Sequence, residues 1–364
     1  MNITIVAGAR PNFMKIAPVI HAIQAKQELG VDINFRLVHT GQHYDKNLSS
    51  AFFEELNIPN PDINLNVKSG TQAEQTAAVM TGFEKDLIRF RPDLVIVVGD
   101  VTSTMACSIV TKKACIPLAH IEAGIRSGDL TMPEEINRIV TDSITDIFFT
   151  TSKLAGENLK KSGKTESDIY FVGNVMIDTL NKNLNRLRSP EFFQTLGLKP
   201  KSYFVLTLHR PSNVDGINQF RSLLEQISKL TQNLPVIFPV HPRTKKLLDS
   251  IDFYNSNFHY TEPQGYLNFI YLIKHAKAIL TDSGGITEEA TVLNVPCITF
   301  RNTTERPETC EIGTNLLVGN DPLKIEHAFS SLFKGTWKKG GIPPLWDGNS
   351  AKRIVEHILD IFQA

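Results

Sequence analysis

Short apolar runs alternate with longer helical segments along the chain, and this alternation limits the fold more than any other feature. The runs ITIVA and LVIVVGD are followed by MKIAPVIHAIQAKQEL and STMACSIVTKK, which have helical periodicity. Such alternation predicts βαβ units and a parallel sheet. Because the strand runs are uniformly apolar, we expect strands that are buried on both faces between layers of helices.

The pattern restarts after a polar stretch in the middle of the chain. NKNLNRLRSPEFFQTLGLKPKS has no clear periodicity and precedes a new strand at YFVLTLHR. We therefore predict an α/β protein with two doubly wound parallel-sheet (Rossmann-like) domains that face a cleft. The expected domains are residues 1–172 and 173–349. The amphipathic helix at about 350–364 follows a loop rich in Gly and Pro, so its packing on either half stays open, with the first as our working assignment.

Composition excludes several classes of protein. The 364 residues carry 38 Lys+Arg and 38 Asp+Glu, and this balance gives no support to nucleic acid or an anionic membrane as the main partner. No apolar run approaches the ~18–20 residues of a membrane span. The opening MNITIVAGARPNF is typical of a first strand and not of a signal peptide, so we expect a cytoplasmic protein. The four cysteines lack metal-binding spacing and are interpreted as reduced thiols.

Two glycine-containing motifs are candidates for binding a diphosphate. In GARPNFMK, Arg10 and Lys15 lie at the start of a helix, where backbone N–H groups and the helix dipole favour an anion. The motif is not GxGxxG, which argues against NAD. In TDSGGITEEA, the backbone of Ser283, Gly284 and Gly285 allows close approach of an anion. An ordinary turn and an ordinary helix start remain the alternatives.

Carboxylates also follow the predicted strands. Asp100, Glu122 and Glu134 lie in VVGD, HIEAGIRSGD and MPEEINR, and carboxylates at buried strand ends are candidate acids or bases. With His120 they could also ligate Mg²⁺, but no compact ligand motif is present and we expect no metal. A helix start with salt bridges is an equal alternative for Glu134 and its neighbour.

Histidines and arginines form a third group of candidates. His209 and His241 end strands and are followed by Arg210 and Arg243, a combination suited to a diphosphate and to proton transfer.

Two further segments border the expected second site. Glu288 and Glu289 lie in the helix that follows the double glycine, and one of their two carboxylates is suited to a ribose diol. Gln264 and Phe269 are candidates for pairing with a base and stacking on it, and Arg306 lies in the polar loop TTERPE. Phe269 is equally explained as a core residue.

Taken in order, these motifs resemble the non-hydrolysing UDP-N-acetylglucosamine 2-epimerases, which have the glycosyltransferase-B architecture. The resemblance runs from GARPNFMK through VVGDVTST, HIEAGIRSGD, MPEEINRIVTD, LTLHRPSN, HPRT and TDSGGITEEA to TTERPE. It implies epimerisation at C2 of a UDP-2-acetamido sugar without metal, NAD or other cofactor, through elimination of UDP to a glycal and its re-addition. It also implies a homodimer, with the first domain on the sugar and the second on UDP.

The resemblance also implies roles for the candidate residues. Asp100, Glu122, Glu134 and His209 match the catalytic groups, and Arg10 and Lys15 approach the phosphate or sugar. The matches to nucleotide contacts are Gln264, Phe269, Ser283, Gly284, Gly285, Glu289 and Arg306, and further candidates are Arg126, His241 and Arg243.

Several alternatives stay open within this resemblance. The GQHYD and TMPEEINR segments are similar to those of relatives that act on 2,3-diacetamido uronic acids or 6-deoxy sugars. A hydrolysing 2-epimerase and a sugar transferase of the same architecture are further alternatives, and a non-catalytic sugar-nucleotide sensor is one from another class. Gln42 and His43 match part of a regulatory UDP-sugar site, whereas Tyr44, Asp45 and Lys46 depart from it.

Overall fold

The computed structural model describes residues 1–41, 53–214, 216–240, 242–251 and 253–363. Over these residues the chain forms two compact units, unit 1 (1–182 and 344–364) and unit 2 (183–343). Each unit has a parallel sheet with helices between its strands, so the fold class expected from the alternation is confirmed.

Unit 1 contains a seven-stranded sheet and unit 2 a six-stranded one. The strands of unit 1 are β1 (Asn2–Ala7), β2 (Asn34–His39), β3 (Ile63–Asn64), β4 (Leu94–Val98), β5 (Leu118–Ile121), β6 (Ile147–Thr150) and β7 (Ile169–Phe171). Those of unit 2 are β8 (Phe204–Thr207), β9 (Val236–Pro239), β10 (Phe258–Thr261), β11 (Ala278–Thr281), β12 (Cys297–Thr299) and β13 (Asn315–Leu317).

Helices connect these strands in both units. Those up to residue 183 include α1 (Arg10–Glu28), α2 (Gln72–Arg89), α3 (Thr102–Lys113), α4 (Pro133–Ile144), α5 (Lys153–Lys161) and α6 (Val175–Asn183). The rest are α7 (Glu191–Thr195), α8 (Pro211–Val214), α9 (Ile217–Leu230), α10 (Pro242–Leu248), α11 (Tyr266–His275), α12 (Gly284–Val292), α13 (Pro307–Glu311), α14 (Pro322–Phe333) and α15 (Ser350–Gln363). None of the helices described is long and apolar enough to cross a membrane.

Both sheets reverse their strand order at an equivalent place. The order is β3-β2-β1-β4-β5-β6-β7 in unit 1 and β10-β9-β8-β11-β12-β13 in unit 2. The chain therefore winds outward in one direction from β1 and β8 and in the other direction from β4 and β11. Crevices form at such reversals beyond the carboxyl ends of the strands, and they are where doubly wound sheets bind ligands.

The central strand β4 shows how the sheet of unit 1 is buried. Its five residues are all inaccessible to solvent, and alternate side chains enter different cores. Leu94, Ile96 and Val98 join the core that includes α1, whereas Val95 and Val97 join the core that includes α2 and α3. The prediction of strands covered on both faces is confirmed for this strand.

The segment after residue 343 returns to unit 1. Ile354, Val355 and Ile358 of α15 lie in the same core as Ile16 and Ile20 of α1. The division between the units follows residue 182, after the expected boundary at 172/173, because Val175 of α6 also belongs to that core.

Hydrogen bonds hold residues 344–364 against the rest of unit 1. Trp346 Nε1 donates to the Thr151 carbonyl at 3.2 Å, and the Asp178 carboxylate accepts from the backbone N–H groups of Ser350 and Ala351. The two hydrogen bonds to Asp178 cap the N-terminus of α15. Burial raises the pKa of Asp178 to about 6.

Gly173 lies where the returning segment passes closest to the chain, which generates a stability prediction. Its φ is +94°, and a Cβ there would lie 2.1 Å from the Leu345 carbonyl oxygen. We expect Gly173→Ala to lower the free energy of unfolding by about 3 kcal/mol, since the backbone must move. Gly163→Ala, at φ +81° with open space around it, is the matched control and is expected to cost about 1–2 kcal/mol. Equal losses in urea denaturation would contradict the predicted clash.

Candidate active site

The loops after β1 and β4 approach each other at the reversal of the first sheet. A Cβ at Gly8 would lie 2.1 Å from Ser103 Oγ, so the turn into α1 has no room for a side chain. Asn12 Nδ2 donates to the Val98 carbonyl at 2.8 Å and ties α1 to the end of β4. Gly99 follows with φ +68°, a conformation that favours glycine. Groups from α1, β4 and β5 are brought together here.

Lys15 and Glu122 form an ion pair in this region. Lys15 Nζ lies 2.7 Å from Glu122 Oε2, and the Glu122 side chain is 2% exposed. Glu122 adopts φ +70° immediately after β5, which turns its carboxylate toward α1. The structure therefore pairs Lys15 with one of the predicted catalytic carboxylates.

Asp100 is held from α4. Arg138 Nη1 lies 2.5 Å from Asp100 Oδ2, and Asn137 Nδ2 donates to the Asp100 carbonyl at 2.8 Å. Arg138 also pairs with Glu135, whose carboxylate accepts the backbone N–H groups of Ser127 and Gly128. The Asp100 carboxylate keeps 32% of its surface exposed, so it is oriented by Arg138 and still accessible.

Burial opposes ionisation of Glu135, but its backbone hydrogen bonds and Arg138 lower its pKa. Glu135 therefore serves as an anionic anchor for Arg138. Its neighbour Glu134 lies half-buried in the first turn of α4. The contacts of the described residues include none between Glu134 and either Asp100 or Glu122.

The other sequence candidates of unit 1 differ in their placement. Arg10 is exposed at the first position of α1. Arg126, predicted as a further substrate contact, donates from Nη1 to Asp142 Oδ2 at 2.6 Å. His120 is buried beneath Gly99 and contacts Asp142 as well. Within the described residues, no group of three or more His, Cys, Asp or Glu side chains is arranged to hold a metal ion.

In unit 2, His209 and Asp282 form a dyad at the equivalent reversal. His209 Nδ1 lies 2.8 Å from Asp282 Oδ1, with the His209 side chain 55% exposed and Asp282 fully buried. Asp282 also accepts hydrogen bonds from the backbone N–H groups of His209 and Arg210 and from Asn213 Nδ2. Burial opposes the charge, but the hydrogen bond and charge of His209 lower the pKa of Asp282. The dyad leaves His209 Nε2 on the accessible side of the ring.

Asp282 has no predicted role in the sequence motifs described above. The position of Asp282 is the signal that could have identified it. Asp282 directly follows β11, and His209 comes shortly after β8, the strand that pairs with β11. Residues that follow neighbouring parallel strands meet at one edge of the sheet.

An internal ion pair lies at the start of α12. Arg301 donates to both carboxylate oxygens of Glu305, at 3.2 and 2.7 Å, and Arg210 lies 4.0 Å from the same group. Burial opposes its ionisation, yet Arg301, with help from Arg306, lowers the pKa of Glu305 to about 2. A Cβ at Gly284 would lie 2.6 Å from Glu305 Oε1.

The other residues of the SGG motif are more open. Ser283 precedes α12 and is half-buried, with its backbone N–H donating to Thr281 Oγ1 at 3.0 Å. Gly285 is exposed, and a Cβ there would meet nothing within 4 Å. The N–H groups at the start of α12 thus lie beside arginines and next to open space, an arrangement that suits an anion.

The acids of α12 have different environments. Glu288 pairs with Arg306 Nε, and both side chains are buried. Complete burial raises the pKa of Glu289 to about 8, and the nearby Glu288 adds to this shift although a hydrogen bond from Tyr266 opposes it. Arg306 therefore has a carboxylate partner, whereas Glu289 holds its proton at neutral pH.

The remaining candidates are placed as follows. Gln264 donates from Nε2 to the Glu262 carbonyl at 2.7 Å, and Phe269 is half-buried on α11. His241 and the side chain of Arg243 lie outside the described residues, as do Gln42, His43, Tyr44, Asp45 and Lys46.

The raised pKa of Glu289 predicts a pH dependence of stability. An unfolded glutamate ionises near its ordinary value of 4.5, whereas the folded group ionises near 8. The folded state thus holds an extra proton in this window, so the free energy of unfolding falls as pH rises from about 4.5 to 8. We expect Glu289→Gln to flatten this part of the curve in urea denaturation, while Glu262→Gln, at an exposed position, leaves it unchanged. A wild-type slope in Glu289→Gln would contradict the assignment.

Comparison with known proteins gives consistent matches. Residues 24–359 match the family model described as UDP-N-acetylglucosamine 2-epimerase. The chain is 41% identical to a UDP-N-acetylglucosamine 2-epimerase of Methanocaldococcus jannaschii, with 98% of each chain covered. It is 38% identical to a UDP-2,3-diacetamido-2,3-dideoxy-D-glucuronate 2-epimerase of Pseudomonas aeruginosa, covering 98% of this chain and 99% of the relative.

Solved structures agree with these matches. The crystal structure of the M. jannaschii enzyme in complex with UDP-GlcNAc and UDP has a TM-score of 0.89 at 40% identity, with 99% of this chain and 100% of that chain covered. A lipopolysaccharide outer core galactosyltransferase, 16% identical with a TM-score of 0.54, shares the fold alone. The sequence motifs, the family model and the relatives together show that this chain belongs to the UDP-N-acetylglucosamine 2-epimerase family.

Proposed function

We propose that this protein is a non-hydrolysing 2-epimerase that interconverts UDP-N-acetylglucosamine and UDP-N-acetylmannosamine. The observation that supports this most directly is the presence of two carboxylates, Asp100 and Glu122, at the reversal of strand order in the first sheet. Asp100 is accessible and contacts Arg138, and Glu122 contacts Lys15. The second sheet carries His209 and an arginine-lined helix start at its own reversal. Relatives named UDP-N-acetylglucosamine 2-epimerase give independent support for 2-epimerase activity.

The first half of the reaction forms a glycal. A carboxylate of unit 1 takes the proton from C2 of the sugar, and the electron pair of the C2–H bond forms the C1=C2 double bond. The C1–O bond breaks, and UDP leaves with its electrons. The second half reverses these steps, with UDP re-adding at C1 and a proton returning to the opposite face of C2. Asp100, Glu122 and Glu134 are the proposed acids and bases.

Lys15 and Arg138 orient the two better-defined carboxylates. Lys15 contacts Glu122 and Arg138 contacts Asp100, so each group is fixed by a cation before any substrate binds. Fixed charges of this kind require little rearrangement during the reaction.

Unit 2 is proposed to bind UDP. The leaving diphosphate gains negative charge as C1–O breaks, and donors aimed at such a group lower the barrier. We assign this role to the N–H groups of Ser283, Gly284 and Gly285 and to His209. Arg10 is proposed to approach the phosphate or the sugar. Gln264, Phe269, Glu289 and Arg306 are proposed to contact the nucleoside, and Arg243 and His241 are kept as further candidates.

A modified sugar is the second candidate substrate. The relative from Pseudomonas aeruginosa, 38% identical, is named for a 2,3-diacetamido uronic acid. Competition between the two UDP-sugars, read as kcat/KM for each, decides between them. We also propose a cytoplasmic location and a homodimer. Light scattering of the purified protein tests the homodimer directly, because it measures the mass of the particle.

Incubation with UDP-N-acetylglucosamine in D₂O tests the reaction itself. We expect deuterium at C2 and UDP-N-acetylmannosamine in the NMR spectrum, with free UDP far below stoichiometric amounts. Stoichiometric release of UDP would indicate a hydrolysing enzyme. Absence of deuterium at C2, both in UDP-N-acetylglucosamine and in the 2,3-diacetamido uronic acid substrate, would exclude a 2-epimerase.

Asp100→Asn tests the carboxylate assignment. We expect kcat to fall by about 10²–10⁴-fold, because the variant lacks an acid or base at this position. Asp93→Asn is the matched control, since Asp93 is exposed at the opposite end of the same strand, and it should keep wild-type kcat. Equal activities of the two variants would remove Asp100 from the mechanism.

The Asp282 and His209 dyad predicts a graded effect. His209→Asn removes the ring and is expected to lower kcat by about 10²-fold or more. Asp282→Asn keeps an acceptor but loses the charge, so we expect a smaller loss and a shifted pH profile of kcat, with KM changed less. A pH profile of Asp282→Asn that superimposes on the wild-type profile would show that the dyad does not act as a unit.

A further inference from the structure

A buried histidine outside the proposed catalytic set links the segments that carry Asp100 and Glu122. The His120 side chain is 0% exposed in β5. Its Nδ1 lies 2.7 Å from Asp142 Oδ1 on α4, and its Nε2 lies 2.8 Å from the carbonyl oxygen of Gly99 after β4. One ring thus joins β4, β5 and α4 directly beneath the carboxylates.

Both partners of the ring are hydrogen-bond acceptors. The Gly99 carbonyl oxygen only accepts, so Nε2 carries a hydrogen. Asp142 Oδ2 accepts from Gly124 N at 3.0 Å and from Arg126 Nη1 at 2.6 Å. Burial opposes the charge of Asp142, but His120 and Arg126 lower its pKa. The two donors on Oδ2 match an ionised carboxylate, which accepts hydrogen bonds only. A carboxylate also only accepts, so both ring nitrogens of His120 face acceptors.

The bond to Gly99 fixes the backbone that leads into Asp100. Gly99 has φ +68°, and its N–H donates to the Ile121 carbonyl at 3.0 Å. With its carbonyl held by His120, the peptide at Gly99 is fixed on both sides. The Asp100 carboxylate is then directed toward Arg138.

The same ring also limits the movement of Glu122. Glu122 comes two residues after His120, and its backbone N–H donates to the Phe149 carbonyl at 3.0 Å. Because its φ is +70°, its direction depends on where β5 ends. A shift of the His120 ring would displace both carboxylates together.

We propose that His120 is a positioning residue whose doubly protonated ring holds the Gly99 backbone and the end of β5, and with them Asp100 and Glu122, in register for proton transfer. The inference rests on the proposed function of these two carboxylates. His120 acts through them and does not contact the sugar.

The protonation of the ring is tested on the wild-type protein by NMR with ¹⁵N-labelled histidine, at neutral pH. We expect both His120 nitrogens to show the imidazolium signature, with the signal assigned by its loss in His120→Gln. His39 is the internal reference, because burial lowers its pKa to about 4 and its Nδ1 accepts from Gly41 N. A neutral His120 ring would overturn the proposal.

Two variants separate the bonds of the ring. His120→Gln keeps a donor near the Nε2 position for Gly99, whereas His120→Asn keeps one near the Nδ1 position for Asp142. We expect His120→Asn to lower kcat by about 10²-fold with KM within about twofold, because misplacement of reacting groups by about 1 Å has effects of this size. His120→Gln should retain more activity.

His357→Gln is the control, since this ring packs on Tyr170 in the same unit and lies outside the site. It should keep wild-type kcat. Wild-type kcat in His120→Asn, or a loss confined to KM, would overturn the positioning role. If Asp100→Asn and a Glu122→Gln variant stay active while the imidazolium signature is present, the proposed function fails and the ring assignment does not.

Discussion

The reversal of strand order in each parallel sheet is the constraint on which the chemistry depends. At β1 and β4, and again at β8 and β11, neighbouring strands send their following connections in opposite directions, and doubly wound sheets bind ligands at such places. Residues far apart in sequence meet at these two places. Lys15 reaches Glu122 at the first, and His209 reaches Asp282 at the second. The rest of each unit supplies the buried layers that keep these strand ends in register.

Charge at both places is organised in pairs before a substrate arrives. Asp100 contacts the buried Arg138, Glu122 contacts Lys15, and His209 contacts the buried Asp282. Removing one member of a buried pair leaves the other uncompensated, which costs several kcal/mol. The net charge of zero therefore describes a molecule in which many charges near the site are already balanced locally.

The sequence predicted the fold class and the positions of the chemical groups better than it predicted their partners. Apolar runs identify the strands, and the residues that follow them, such as Asp100 and His209, are identified with them. Periodicity carries no information on which strands are neighbours, so the partnership of His209 with Asp282 did not follow from it. Arg126 illustrates the same limit, because a basic residue near a predicted site turns to Asp142 once α4 is in place.

The return of residues 344–364 to unit 1 has a consequence for the order of assembly. Unit 2 is a continuous segment, whereas the core of unit 1 includes Ile354 and Ile358 and is incomplete until they arrive. During synthesis the chain therefore finishes unit 2 while unit 1 still exposes the apolar face of α1. The capping of α15 by Asp178 and the contact of Trp346 with Thr151 then close the first unit last. Asp100 and Glu122, which lie in unit 1, acquire their final support only after unit 2 has been made.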